Sequence, residues 1–190
     1  MAAVYSSAAG RRSGRAGGMI SGARGVEAPA PGLQTTEGLS MKVAAAFDHR
    51  GVSLREAILE ALADEQVIDL GTDTDAVRVD YPDKARQVGE AIQAGDADRG
   101  IIVCGSGAGA AIAACKLSGI RAAICHDLYS AHQAVEHDDL NVLCLGSEII
   151  GAAVARELVA VFLAARFDGG ARYVARLEKV AAMERGMTHD

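Results

Sequence analysis

Tryptophan is absent from this 190-residue chain, and aromatic residues together make up only 4%. A core without large rings has to be built from closely packed aliphatic side chains, which suits short strands alternating with helices. A basic excess is absent as well. The chain carries 25 acidic against 19 basic residues, a net charge of −6 at pH 7, and its isoelectric point lies near 5.4. Without a positive field the main source of phosphate-backbone affinity is missing, so no nucleic acid partner is expected. No run of 18 apolar residues occurs, which excludes a spanning helix and, with it, a membrane partner of that kind. The four cysteines, Cys104, Cys115, Cys125 and Cys144, form no C-x-x-C pair. Neither a zinc knuckle nor a disulfide framework is indicated, and reduced thiols point to a cytoplasmic setting.

Residues 1–40 hold eight of the 22 glycines, two of the three prolines and four arginines but only two acids, with no sustained periodicity. This composition reads as a disordered N-terminal extension. Its Arg-Ser-Gly-Ala bias also matches an organelle transit segment, and a start codon set too far upstream would give the same composition. Met41 then opens the apolar run Lys42-Val43-Ala44-Ala45-Ala46-Phe47, so 41–190 is expected to form one domain. That part holds 15 basic and 23 acidic residues, a net charge of −8.

From Met41 short apolar runs at 42–47, 67–70, 100–104, 121–125 and 141–145 alternate with helical stretches at 52–64, 84–94, 108–117, 129–137, 151–165 and 172–185. Strands that alternate with helices imply right-handed crossovers, hence an α/β fold with a five-stranded parallel sheet covered on both faces. Ligands of such sheets bind outside the carboxyl ends of the strands, where the winding reverses. The residues that follow each strand are therefore the candidates for chemistry.

The first strand runs into Asp48-His49-Arg50-Gly51, a carboxylate, an imidazole and a guanidinium at one turn. Asp48 could equally cap the helix that starts near Ser53. The third strand ends in Cys104-Gly105-Ser106-Gly107-Ala108-Gly109-Ala110, a loop whose backbone amides can approach an anion at a helix start. Gly105, Gly107 and Ala110 also satisfy G-x-G-x-x-A, with Asp127 after the next strand, so a nucleotide-binding oxidoreductase is an alternative. The loop, however, follows the third strand rather than the first and begins with a thiol. Cys104 faces a turn rich in amide donors, a setting in which a thiol acts as base or nucleophile. Cys115, Cys125 and Cys144 read as small apolar fillers. His137 precedes the fifth strand, at the amino end of the sheet, so within one subunit it should not meet Cys104. His126, His132 and His137 lack a metal-binding spacing. Arg172 and Arg176, four apart on the last helix, share a face and together can grip a phosphate.

In this order these elements resemble the ribose-5-phosphate isomerase type B and galactose-6-phosphate isomerase family of sugar-phosphate isomerases. The resemblance covers 41–185 and rests on Asp48-His49-x-Gly51, Asp80-Tyr81-Pro82-Asp83, Asp98-Arg99-Gly100, Cys104-Gly105-Ser106-Gly107-Ala108-Gly109, Gly119-Ile120-Arg121-Ala122, Glu136-His137-Asp138-Asp139-x-Asn141-Val142-Leu143 and Arg172-x-x-x-Arg176. It implies a Rossmann-like three-layer α/β/α sandwich and a homodimer, possible as a pair of dimers, whose active sites are each built from both subunits. It also implies Cys104 as the base that moves a proton between C1 and C2 of an open-chain sugar phosphate, and His137 of the other subunit as the ring-opening acid. Asp48 would orient sugar hydroxyls, and Gly105, Gly107, Ala108 and Gly109 would supply amides to the enediolate, with Ser106 beside the thiol. Asp138 belongs to the substrate-binding set, and Arg172, Arg176 and His49 would hold the phosphate. Ribose 5-phosphate and ribulose 5-phosphate are the default pair, and neither metal nor organic cofactor is called for.

Four positions depart from the family pattern. Asp138 and Cys115 stand where asparagine is usual, Glu148 where many members carry a phosphate-binding arginine, and Arg50 where a small residue is usual. Ala171 is an extra residue before the arginine pair. Loss of one phosphate cation and gain of a carboxylate should weaken dianion binding unless Arg50, entering at the same strand end as His49, compensates. The same departures also allow a non-catalytic sugar-phosphate binding protein on this fold.

Overall fold

The structure, a computed structural model, describes residues 40–186. The extension expected over 1–40 lies outside the described residues apart from Ser40. Five strands form one parallel sheet: β1 (Lys42–Phe47), β2 (Gln66–Asp69), β3 (Arg99–Cys104), β4 (Ala122–Ile124) and β5 (Val142–Gly146). Six helices accompany them: α1 (Arg55–Ala61), α2 (Tyr81–Gln93), α3 (Ala108–Ala114), α4 (Leu128–Asp138), α5 (Ala152–Ala164) and α6 (Ala171–Glu184). The Rossmann-like three-layer α/β/α arrangement follows from the two-residue alternation of the strands. Val43, Phe47, Ile101, Val103, Leu143 and Leu145 pack on one face against Ile58, Val135, Leu158 and Phe162 of α1, α4 and α5. Ala44, Ala46, Ile102, Cys104 and Cys144 pack on the other against Ala85, Val88, Ala110 and Ala114 of α2 and α3. Small residues on that second face let α2 and α3 settle close to the sheet, which is how a chain without tryptophan fills its core.

The strand order is β2-β1-β3-β5-β4. From β1 the chain winds outward to β2 and then returns past β1 to β3, so the winding reverses between β1 and β3. Their carboxyl ends carry Asp48–Gly51 and Cys104–Gly109, and the crevice characteristic of such reversals opens there.

Three local expectations need correction. The first helical segment begins earlier than residue 52, as a 3₁₀ turn over Gly51–Leu54, and α1 stops at Ala61 rather than 64. The cause is Asp48, whose Oδ1 accepts the amides of Arg50 (2.9 Å) and Gly51 (2.8 Å) and so starts the turn immediately. Helix α2 starts at Tyr81 rather than 84, because Pro82 occupies its first turn, where the missing N–H leaves no bond unmade. Helix α3 ends at Ala114 rather than 117, so Cys115 is not a buried filler: it caps the C-terminus of α3, is exposed, and donates its thiol to the Ala122 carbonyl at 3.2 Å. Among the described residues no helix is long and apolar enough to cross a membrane.

Candidate active site

At the β1–β3 end the two turns are bonded to each other. The Asp48 amide donates to the Val103 carbonyl at 3.0 Å, which holds the buried Asp48 carboxyl beside Cys104. Oδ1 is used by the turn, and among the described residues Oδ2 has no hydrogen-bond partner. Cys104 is buried on the α2–α3 face, and the Gly107 amide donates to its Sγ at 3.2 Å. That contact needs glycine: Gly107 has φ +79°, and a Cβ there would lie 3.2 Å from the Leu145 carbonyl carbon. Ser106 is exposed beside the thiol and its Oγ accepts the Ala108 amide at 3.4 Å. Ser147 ties a third turn to these two, with its amide donating to the Cys104 carbonyl (2.9 Å) and its hydroxyl to the Arg50 carbonyl (2.8 Å). His49 is half-buried, with Nδ1 3.2 Å from the Val79 carbonyl oxygen. A cleft of about 570 Å³ lies alongside, lined by His49, Arg50, Ser53, Asp73, Asp75 and Glu148 among others.

Two features here escaped the sequence. Tyr81 lays its ring over Gly109, so close that a Cβ on Gly109 would fall 2.7–2.9 Å from ring atoms. Arg50 is not a free cation: its Nε donates to Glu148 Oε1 at 2.6 Å while Nη2 pairs with Oε2. The guanidinium lies across Gly105, where a Cβ would meet Arg50 Cζ at 2.5 Å. Arg50 thus covers Gly105, the first glycine of the nucleotide fingerprint, and Tyr81 covers Gly109 two residues beyond its second. Asp127, the acid of the nucleotide reading, is spent on capping α4, its Oδ1 accepting the Ser130 amide at 2.7 Å. That bond holds its carboxyl below the usual carboxylate range.

His137, Arg172, Arg176 and Asp138 form a second group. The His137 ring stacks on the buried Tyr173 with centroids 4.4 Å apart, and Gln133 Nε2 lies 2.6 Å from His137 Nδ1. An amide nitrogen donating to Nδ1 leaves the imidazole proton on Nε2, at the outer edge of the ring. The Arg172 guanidinium lies 4.4 Å from the Tyr173 ring centroid and that of Arg176 6.0 Å, so Tyr173 gathers both cations and the imidazole. Asp138 is exposed at the end of α4, next to Asp139, which takes φ +48° and is held by Arg121. Tyr173 and Gln133 carried no signal in the sequence beyond lying near residues already singled out.

The two groups do not meet within one chain. β3 and β5 are parallel, with Gly100 opposite Val142 and Cys104 opposite Gly146. Cys104 closes β3 while His137 lies just before β5 begins, so the length of a strand separates them.

A model of the Ribose/Galactose Isomerase family matches residues 43–180. The chain belongs to that family. Ribose-5-phosphate isomerase B of Escherichia coli is 41% identical to it over 145 residues, covering 75% of this chain and 96% of the relative. D-erythrulose-4-phosphate isomerase 2 of Mycolicibacterium smegmatis is 35% identical over 150 residues, 77% of this chain and 99% of the relative. Among solved structures, ribose-5-phosphate isomerase B of Clostridium thermocellum superimposes with a TM-score of 0.74 at 41% identity, covering 77% of this chain and 99% of its own. The resemblance read from the motifs and the fold it implied therefore hold.

The Cys125 and Cys144 thiols are buried and His126 is half-buried. Burial pushes the Cys125 thiol up to about 11 and that of Cys144 well above its ordinary value, so neither supplies a thiolate. His126 Nε2 accepts the Gly146 amide at 2.9 Å, and burial lowers its pKa. The unfolded chain then takes up this proton first as pH falls below the ordinary histidine value of about 6.5, so stability falls with pH in that window and is unaffected above it. Asp127 works the same way but in the lower carboxylate window. The melting temperature of His126→Gln, whose amide oxygen can still accept from Gly146, should fall less between pH 6.5 and 5 than that of the wild type. Parallel curves for the two proteins would contradict this assignment.

Proposed function

We propose that the protein is an aldose–ketose isomerase of small phosphorylated sugars, working in the cytoplasm as a homodimer whose sites each combine the Cys104 group of one subunit with the His137 group of the other. The observation that carries this reading is the pairing of a buried thiol, met by a backbone amide at 3.2 Å, with an imidazole and two guanidinium groups at the far end of the same sheet. The first group has a base and amide donors but, Arg50 apart, no guanidinium; the second has an acid and phosphate ligands but no base. A two-fold dimer supplies what each lacks. Exposed Ile112, Ile124, Leu128, Tyr129 and Ile149 near the carboxyl end, and Val174, Val180 and Met183 on α6, are apolar surfaces suited to such a partner.

The chemistry follows from the groups. His137, with its proton on Nε2, protonates the ring oxygen of a furanose, and as the C1–O bond breaks the anomeric hydroxyl gives its proton to water, releasing the open aldehyde. Cys104 as thiolate removes the C2 proton, and electron density moves onto the carbonyl oxygen. The amides of the 105–109 loop, with Ser106 beside them, donate to the resulting enediolate. The thiol delivers a proton to C1, and the 2-hydroxyl proton passes to O1, giving the ketose. Asp48 Oδ2 holds a sugar hydroxyl in register, and Arg172, Arg176 and His49 hold the phosphate. Atoms and electrons balance within one sugar, so the reaction calls for no cofactor.

Ribose 5-phosphate and ribulose 5-phosphate are the leading substrate pair, supported by the relatives of that name, and a tetrose phosphate is the second. His137 separates the two by chemistry. A tetrose esterified at O4 cannot close a five-membered ring, so it needs no ring-opening acid. A turnover assay over four- to six-carbon aldose and ketose phosphates with wild type and His137→Ala tests the assignment. Loss of pentose phosphate turnover in the variant supports the pentose reading. Retained turnover of a tetrose phosphate would move the substrate to four carbons, and no turnover of any sugar by wild type would leave a sugar-phosphate binding protein.

A further inference from the structure

Arg50 and Glu148 stand 98 positions apart and form a bidentate pair, Nε to Oε1 and Nη2 to Oε2, at the mouth of the Cys104 group. The two side chains are 52% and 54% exposed, and a half-exposed ion pair adds little to folding stability. Yet Arg50 is fixed at every other handle. Its amide donates to Asp48 Oδ1 at 2.9 Å, its carbonyl accepts from Ser147 Oγ at 2.8 Å, and its guanidinium lies across Gly105. Glu148 is fixed too, its amide donating to the Gly105 carbonyl at 3.0 Å. Among the described residues Nη1 alone of the guanidinium nitrogens has no hydrogen-bond partner. An arginine side chain normally loses much rotamer freedom when it binds an anion; this one is already ordered.

We infer that Arg50 is an anion-binding residue for the phosphate group of the substrate, and that Glu148 is a positioning residue that aims its guanidinium. This rests on the sugar-phosphate isomerase reading and deepens it. The cleft beside the pair also carries Asp73 and Asp75, so its net charge does not favour a dianion. Anion binding there depends on one guanidinium held in place, with Nη1 left to donate, beside His49. Glu148 adds a carboxylate to its own turn and holds there a cation brought in by the turn after β1. On this account the carboxylate at 148 helps phosphate binding, the reverse of what its charge alone would do.

The sign of that effect is the test. Dissociation constants for inorganic phosphate, measured by calorimetry on the full chain, need no turnover and so are independent of whether the isomerase reading holds. Arg50→Ala should weaken phosphate binding about 10-fold or more, the ordinary worth of a charge-assisted hydrogen bond to an anion. Glu148→Ala, which frees the guanidinium, should weaken it by about three- to tenfold, with Glu148→Gln in between because the amide oxygen keeps one of the two contacts. With a sugar phosphate that turns over, Arg50→Ala and Glu148→Ala should raise KM far more than they lower kcat. Unchanged phosphate affinity in Arg50→Ala would overturn the assignment of Arg50. Tighter or unchanged binding in Glu148→Ala and Glu148→Gln would overturn that of Glu148 and leave it a repelling carboxylate. Failure of the wild type to turn over any sugar phosphate, with the phosphate affinities ordered as above, would sink the isomerase reading and leave this one standing.

Discussion

Cys104→Ala loses isomerisation by roughly a hundred- to ten-thousand-fold, the usual worth of a positioned general base, while it still binds phosphate with wild-type affinity. The split is expected because the thiol is the proposed base and the proposed phosphate ligands are held elsewhere in the fold. Arg172, Arg176 and His49 are held by other elements: the two arginines by Tyr173 on α6, and His49 by the main chain at Val79. Removing one sulfur from a buried position of this size leaves a small void and costs about 1 kcal/mol of stability, too little to unfold the domain. Steady-state turnover and phosphate calorimetry on the same sample check both halves. A variant that keeps turnover within tenfold of wild type would remove Cys104 from the role of base. A variant that loses phosphate binding as well would show a collapsed loop and not a missing base.

Mixing two inactive proteins restores activity. In the proposed homodimer Cys104→Ala and His137→Ala each damage both sites when the substrate needs ring opening. After subunit exchange a mixed dimer has one site with both lesions and one with neither. Random pairing of equal amounts makes half the dimers mixed, so recovery approaches about a quarter of wild-type activity. Differently tagged chains purified over two affinity steps give the mixed dimer alone, for which the value is about one half. The physical basis is the parallel pairing of β3 with β5, which puts Cys104 and His137 at opposite ends of the sheet. A single chain that carried its whole site would show no recovery, and purified mixed dimers without activity would contradict the shared site.

Much of the fold was legible because its signals are local. Apolar runs such as Ile101-Ile102-Val103 and Val142-Leu143-Cys144-Leu145 are buried on both faces, and continuous apolar runs bounded by glycine or polar residues mark parallel strands. The place of Cys104 beside Asp48 was legible too, since it depends only on β1 pairing with β3. The opposite placement of His137 followed from its position before a strand instead of after one. What the sequence hid depends on contacts between distant turns. The Arg50–Glu148 pair joins the turns after β1 and β5, and nothing in either segment announces the other. Tyr81 over Gly109 and Tyr173 under His137 are likewise tertiary contacts. The early start of α2 was hidden by Pro82, which can mark either the end of a helix or its first turn. Cys115 was misjudged because periodicity gives the face of a short helix but not the point at which the helix ends.

The central claim is that this chain moves a proton between C1 and C2 of a sugar phosphate by way of Cys104. Incubation of ribose 5-phosphate, ribulose 5-phosphate and the tetrose and hexose phosphates in deuterated water, followed by NMR at C2 of the aldose, tests it most directly. Deuterium is expected at C2 for one sugar pair with the wild-type protein and none with Cys104→Ala. Exchange and interconversion that both persist in Cys104→Ala would place the base elsewhere and contradict the role given to Cys104.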